Sequence, residues 1–231
     1  MNSKLLIVIA VIAVIGGSIF LVTKNNSSDT NAVPTIQTES NKKIIIAAFG
    51  DSLTAGYGVE LENSYPAILE KRLQQDGVDS TVINMGVSGE TTQGGRERIQ
   101  FVLDQKPDII LLGLGANDML RALPVSQAQA NLTFIIEGLQ KNHGGVPKII
   151  LLGMQPQVTN GLNYTEEFNA MYPALAKKYS LPIVPFFLEG VILVKELNTE
   201  DGIHPNKEGY TRIVDKNIMP ILLPYIKENF K

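Results

Sequence analysis

Three side chains in this sequence are of the types that together activate a hydroxyl for attack on a carbonyl: Ser52, His204 and Asp201. A serine hydroxyl is a weak nucleophile at neutral pH and needs a base within hydrogen-bond reach. An imidazole supplies that base through one ring nitrogen, and a carboxylate fixes the other. Ser52 stands in Gly50-Asp51-Ser52-Leu53, directly after the apolar run Lys43 to Phe49, where a buried strand ends. Asp201 and His204 stand together in Asp201-Gly202-Ile203-His204-Pro205, ahead of the last helical stretch. A spacing of three in a turn can bring both side chains to one side, and Pro205 biases His204 away from helical torsions.

Attack on an acyl carbonyl creates an oxyanion, which calls for donors aimed at it in advance. Three candidates follow three different apolar runs: the backbone N–H of Ser52, Gly89 in Ser88-Gly89-Glu90-Thr91-Thr92, and Asn117 in Gly115-Ala116-Asn117-Asp118. Glycine allows a close backbone approach, and asparagine offers a neutral amide donor. Each has an ordinary reading by itself: Asp51-Ser52 as a turn or helix cap, Gly89 as a turn glycine, Asn117-Asp118 as a cap pair, His204 as a loop residue. Their agreement in topological place favours the chemical reading. His143, in Asn142-His143-Gly144-Gly145, reads as a helix C-terminal residue instead.

The elements that must position these residues are visible as five apolar runs: Lys43–Phe49, Ser80–Met85, Asp108–Leu114, Lys148–Gly153 and Pro182–Phe187. Their near-continuous hydrophobicity predicts strands covered on both faces. Helical periods lie between them, including Tyr65, Ile68, Leu69 and Leu73, and Leu132, Ile135, Ile136 and Leu139 behind a Ser126-x-x-Gln129 capping box. A third period from Phe168 to Tyr179 predicts a helix bent at Pro173, and the last helix begins near Asn206. This alternation predicts one α/β domain over residues 43–231, a three-layer α/β/α sandwich on a five-stranded parallel sheet. In such sheets ligands bind beyond the carboxyl ends of the strands, where Ser52, Gly89 and Asn117 fall.

Residues 1–24 read differently. Leu5 to Val22 is apolar or small throughout between Lys4 and Lys24, and as a helix it spans roughly 27 Å, about a bilayer core. It is expected to serve export, as a membrane anchor or a signal segment. The absence of a nearby small-residue cleavage site favours the anchor. Residues 25–42, rich in Asn, Ser and Thr, are expected to form a flexible linker. The protein is therefore expected outside the cytoplasm, periplasmic or at the cell surface, with membrane contact through this segment.

Composition removes several classes. The chain has no cysteine, which excludes a thiol nucleophile and disulfides, and its two histidines exclude a histidine-rich metal site. A metal-free mechanism is the simpler expectation, and a net charge of −3 does not favour nucleic acid. Thr54 breaks the Gly-x-Ser-x-Gly of a nucleophile elbow, and Gly56-Tyr57-Gly58 makes no dinucleotide fingerprint.

With these blocks in order, the chain resembles an SGNH hydrolase of the GDSL esterase/lipase superfamily from about Lys43 onward. It is most similar to the bacterial branch of acyl thioesterases, lysophospholipases and arylesterases. Ser88-Gly89-Glu90-Thr91-Thr92-Gln93-Gly94-Gly95, Tyr172-Pro173-Ala174-Leu175-Ala176 and Pro185-Phe186-Phe187-Leu188-Glu189 carry the likeness to that branch. The resemblance implies a flavodoxin-like fold, Ser52 as nucleophile, His204 as base, Asp201 as its orienter, and Ser52, Gly89 and Asn117 as the oxyanion hole. It also implies no metal or organic cofactor.

The expected reaction is hydrolysis of acyl esters, with lysophospholipids, simple esters and acyl thioesters as substrates of a monomeric enzyme. By the same resemblance, the Met154–Tyr164 loop and the stretch from Phe186 to Leu197 would shape an acyl pocket; residue by residue, an ordinary core or hinge position is an equal reading. Two other readings are a carbohydrate O-deacetylase of the same superfamily and a noncatalytic flavodoxin-like binding module. The latter leaves the Asp201-x-x-His204 pair without a purpose.

Overall fold

A computed structural model of the protein describes residues 43–141, 147–156 and 161–230. The expected anchor, linker and His143 lie outside the described residues. Five parallel strands, β1 (Ile44–Gly50), β2 (Ser80–Gly86), β3 (Ile109–Gly113), β4 (Lys148–Leu152) and β5 (Ile183–Val184), form one sheet in the order β2-β1-β3-β4-β5. The chain steps from β1 to β2 on one side and crosses back to β3 on the other, so the order reverses at β1, where open α/β sheets open a crevice.

Helices cover both faces, as the unbroken apolar strands require. Ile46, Ala47, Ala48 and Phe49 of β1 and Ile109 to Leu111 of β3 are completely buried. On one side α2 (Tyr65–Gln75) packs against α8 (Lys207–Ile213). On the other, α6 (Val125–Lys141) packs against α3 (Thr92–Glu97), α4 (Ile99–Asp104) and α7 (Leu162–Tyr179). The result is the three-layer sandwich that the alternation of elements predicts.

Register brings the carboxyl ends of three strands level. Gly50 pairs with Gly86 on one side and with Gly113 on the other, giving three adjacent strand ends without side chains. The short helix α1 (Ser52–Ala55) folds directly across this ledge. A Cβ at Gly86 would lie 2.1 Å from the Ala55 nitrogen, and one at Gly50 would lie 2.6 Å from the Gly113 carbonyl oxygen. No larger residue fits beneath α1, so Ser52 is held close above the central strand.

Three local expectations change. β5 is two residues long, because Pro182 and Pro185 flank it and neither can donate to the ladder. Ser126 is inside α6 rather than capping it, since the helix opens at Val125 and the Pro124 carbonyl accepts its first bonds, from Gln127 and Ala128. The last helix, capped by Asn206, also has a continuation that periodicity does not foretell: a π-helical turn at Val214–Ile218 leads into α9 (Met219–Asn229). A widened turn relieves the ladder just ahead of Pro220, whose ring would otherwise crowd the carbonyl four residues back.

Candidate active site

The loop before α8 is a small folded unit. The Thr199 N–H donates to the His204 carbonyl at 2.8 Å, Gly202 N–H to the Thr199 carbonyl at 3.0 Å, and Asn198 bridges Pro205 in antiparallel fashion. Asn206 ties the base of the loop through its side-chain amide to the Glu196 and Asn198 carbonyls. This closure lifts Asp201 and His204 to the same face. The Asp201 carboxylate accepts from His204 Nδ1 at 2.6 Å through one oxygen. Through the other it accepts from the backbone N–H groups of Ile203 and His204, at 3.0 Å each, and from the Thr199 hydroxyl at 2.8 Å.

Burial opposes ionisation of Asp201, yet these four hydrogen bonds outweigh it and hold the carboxyl well below the usual carboxylate range. An ionised Asp201 makes Nδ1 the donor and leaves Nε2 as an acceptor. The Ser52 hydroxyl lies 2.8 Å from Nε2, so its proton can be donated there. The Tyr57 ring flanks the imidazole, with centroids 4.8 Å apart.

Beside the end of β1 is the turn Val87–Glu90, joined to it by the Val87 N–H bond to the Gly50 carbonyl at 3.0 Å and closed by a Glu90 N–H bond to the Val87 carbonyl at 3.1 Å. Gly89 takes φ +80 in it, a torsion that glycine adopts at no steric cost. Among the described residues no group accepts from the N–H of Ser52 or of Gly89, so both donors are available to an incoming oxygen. Asn117 is the second residue of α5 (Ala116–Leu120) and donates to the Glu90 carbonyl at 3.0 Å, with the Asp51 carboxyl 3.4 Å away. The structure thus brings Ser52, Asp201, His204, Gly89 and Asn117 to one edge of the sheet.

Several supporting residues escaped sequence reasoning. Arg98 donates to the Glu90 carboxylate at 2.7 Å, to the Met85 carbonyl at 2.8 Å and to the Gly50 carbonyl at 3.2 Å, clamping the glycine turn onto the ends of β1 and β2. Asp118 accepts from the Thr92 N–H at 2.8 Å and hydroxyl at 2.6 Å, joining α5 to α3. Only Thr199 carried a signal, a Thr-x-Asp pair of the kind that closes turns. In the Phe186–Leu197 stretch, Phe186, Phe187 and Leu188 are packed in the core, one of the two readings of these positions, whereas Leu193 and Val194 are exposed. In the other expected pocket segment, residues 157–160 lie outside the described ones.

Asp51 sits under this arrangement and is 1 % exposed. Its carboxyl is pushed up to about 7, chiefly by loss of solvent, with hydrogen bonding to the Leu53 N–H in opposition and the Glu90 and Asp118 carboxylates adding to the rise. A carboxyl whose folded value is raised stabilises the fold below its unfolded value, and that contribution is lost as pH climbs through the folded one. Wild type should therefore lose about 4 kcal/mol between about pH 4 and pH 8 from this group, a loss absent in Asp51→Asn. Urea unfolding of both proteins across that range checks it; parallel pH dependences would show that Asp51 is ionised in the interior.

The chain has similar relatives among known proteins. The chain is 37% identical over 178 residues to "Esterase TesA" of Pseudomonas aeruginosa, covering 77% of this chain and 87% of that one. It is 34% identical over 177 residues to "Thioesterase 1/protease 1/lysophospholipase L1" of Escherichia coli K12, covering 75% and 82%. A crystal structure of TesA, 36% identical, matches with a TM-score of 0.72 over 78% of this chain and 98% of its own. Residues 48–212 match the sequence model of the GDSL-like Lipase/Acylhydrolase family, a span that runs from within β1 through His204 into α8, and the chain belongs to that family.

Proposed function

We propose that this ester hydrolase works by acyl transfer through Ser52, with His204 as the base and Asp201 as its orienter. The observation that carries the reading is the continuous chain of hydrogen bonds from Asp201 through His204 to Ser52, at 2.6 and 2.8 Å. Ser52 Oγ attacks the carbonyl carbon while its proton passes to His204 Nε2, and the carbonyl π pair moves onto oxygen. That oxygen meets the N–H groups of Ser52 and Gly89 and the Asn117 amide. Collapse of the adduct breaks the bond to the alcohol oxygen, which takes the proton from His204. A water then repeats the sequence on acyl-Ser52 and frees the acid.

Lysophospholipids and simple acyl esters are the substrates this reading favours, with acyl thioesters as a further capacity. The protein would act as a monomer outside the cytoplasm, periplasmic or at the cell surface, brought to a membrane by residues 1–24 and the 25–42 linker. The test is hydrolysis of p-nitrophenyl esters of increasing acyl length by the full-length protein. An optimum at medium or long chains is expected. A sharp optimum at acetate would favour a carbohydrate O-deacetylase.

A further inference from the structure

We propose that Arg121 is a binding residue for a phosphate carried one glycerol unit away from the scissile ester, so that the enzyme selects glycerophosphoesters over neutral esters of the same acid. Arg121 follows directly on α5, the helix that carries Asn117, and its Nη2 donates to the Gly89 carbonyl at 2.7 Å. The guanidinium therefore lies beside the peptide next to the one whose N–H is offered to the oxyanion.

Its anchorage is firm at the backbone. Arg121 N–H donates to the Asn117 carbonyl at 3.2 Å, Ala122 N–H to the Met119 carbonyl at 3.0 Å and Leu123 N–H to the Asp118 carbonyl at 2.9 Å, with Ala122 at φ 49. The helix is closed off at this point, and the side chain starts from a fixed Cα.

Two arginines touch the same glycine turn and differ in what they have left to give. Arg98 spends its donors on the Glu90 carboxylate and two strand-end carbonyls, and its side chain is 19% exposed. Arg121 is exposed and makes no ion pair among the described residues. The acids of the glycine turn, of α5 and of the Ser52 loop are otherwise engaged: Glu90 with Arg98, Asp118 with Thr92, and Asp51 in the interior. A guanidinium has five N–H donors in a rigid fork suited to phosphate oxygens, and one bond to a carbonyl leaves the rest facing solvent.

The ligand chemistry follows from distance along the substrate. In a lysophospholipid only the glycerol carbons and their ester oxygens separate the scissile carbonyl from the phosphate. In acyl-CoA the phosphates sit at the far end of a long pantetheine arm, and acetylated sugars and p-nitrophenyl esters carry none. A cation one peptide away from an oxyanion donor matches the first of these.

The proposal rests on the acyl transfer at Ser52 set out above. Its test compares 1-acyl-glycero-3-phosphocholine with 1-acylglycerol of the same chain, each at a fixed fraction of neutral detergent micelles. The full-length wild type, Arg121→Gln and Arg121→Lys are measured. The ratio of kcat/KM between the two substrates should fall about tenfold in Arg121→Gln, mostly through KM, and largely recover in Arg121→Lys. An unchanged ratio would overturn the site. So would an equal loss on both esters without rescue by lysine, which would mark a tie to Gly89 alone. Failure of the underlying reading looks different: Ser52→Ala would keep its turnover on both substrates.

Discussion

Replacement of Ser52 by alanine should lower kcat by about 10⁴- to 10⁶-fold while leaving the protein folded and able to bind substrate. The hydroxyl is half-buried on the first turn of α1, so its loss opens no cavity in the core. What disappears is the hydroxyl oxygen at 2.8 Å from His204 Nε2, to which the proposed acyl bond would form. His204→Ala should be nearly as damaging, because the serine then has no base. The double variant should be scarcely worse than either single one, since the two groups act as a unit. Burst and steady-state kinetics on a p-nitrophenyl ester, with circular dichroism to check folding, decide this. Turnover persisting in Ser52→Ala would remove the nucleophile assignment, and additive losses would remove the coupling.

The second large effect is expected from Asp201→Asn, a loss of about 10⁴-fold in kcat with little change in KM. One oxygen of Asp201 is committed to the Ile203 and His204 N–H groups and the Thr199 hydroxyl. An asparagine that keeps those bonds must turn its amide NH₂ toward His204 Nδ1. The imidazole then carries its proton on Nε2 and cannot receive one from Ser52. Because hydrogen bonding holds the Asp201 carboxyl well below its ordinary range, its stabilising contribution is complete above the unfolded value, near pH 4. It is lost only as pH falls through the lower folded value. The deficit of the variant relative to wild type should therefore be flat from about pH 5 to pH 8. A deficit that changed with pH inside that range would show that Asp201 titrates there.

The residues proposed to react were legible because each stands at a place that topology marks. Ser52, Gly89 and Asn117 follow β1, β2 and β3, and those strands end in register at Gly50, Gly86 and Gly113. Anyone who reads the three apolar runs as parallel neighbours places the three donors on one edge. Asp201 and His204 were legible because their pairing is local. The supporting contacts are of another kind: Arg98 reaches the Gly50 carbonyl across 48 positions, and Asn117 approaches Asp51 across 66. No periodicity encodes such partners. Tyr57 is similar, an exposed aromatic whose neighbour His204 is remote in sequence. The short β5 and the π turn were decided by prolines, whose effect on where pairing stops depends on neighbours that the sequence does not display.

If Ser52 and His204 act together as proposed, the separation between them bears on when activity can arise. The acid and base form within one turn, a contact of low order that closes rapidly, whereas Ser52 meets His204 across 152 positions. Closing that long loop requires the sheet and α8 to be in place. A partly folded chain would hold every residue of the proposed mechanism and none of the activity. Recovery of turnover after dilution from denaturant thus clocks the arrival of the C-terminal segment, and should lag the recovery of helical signal.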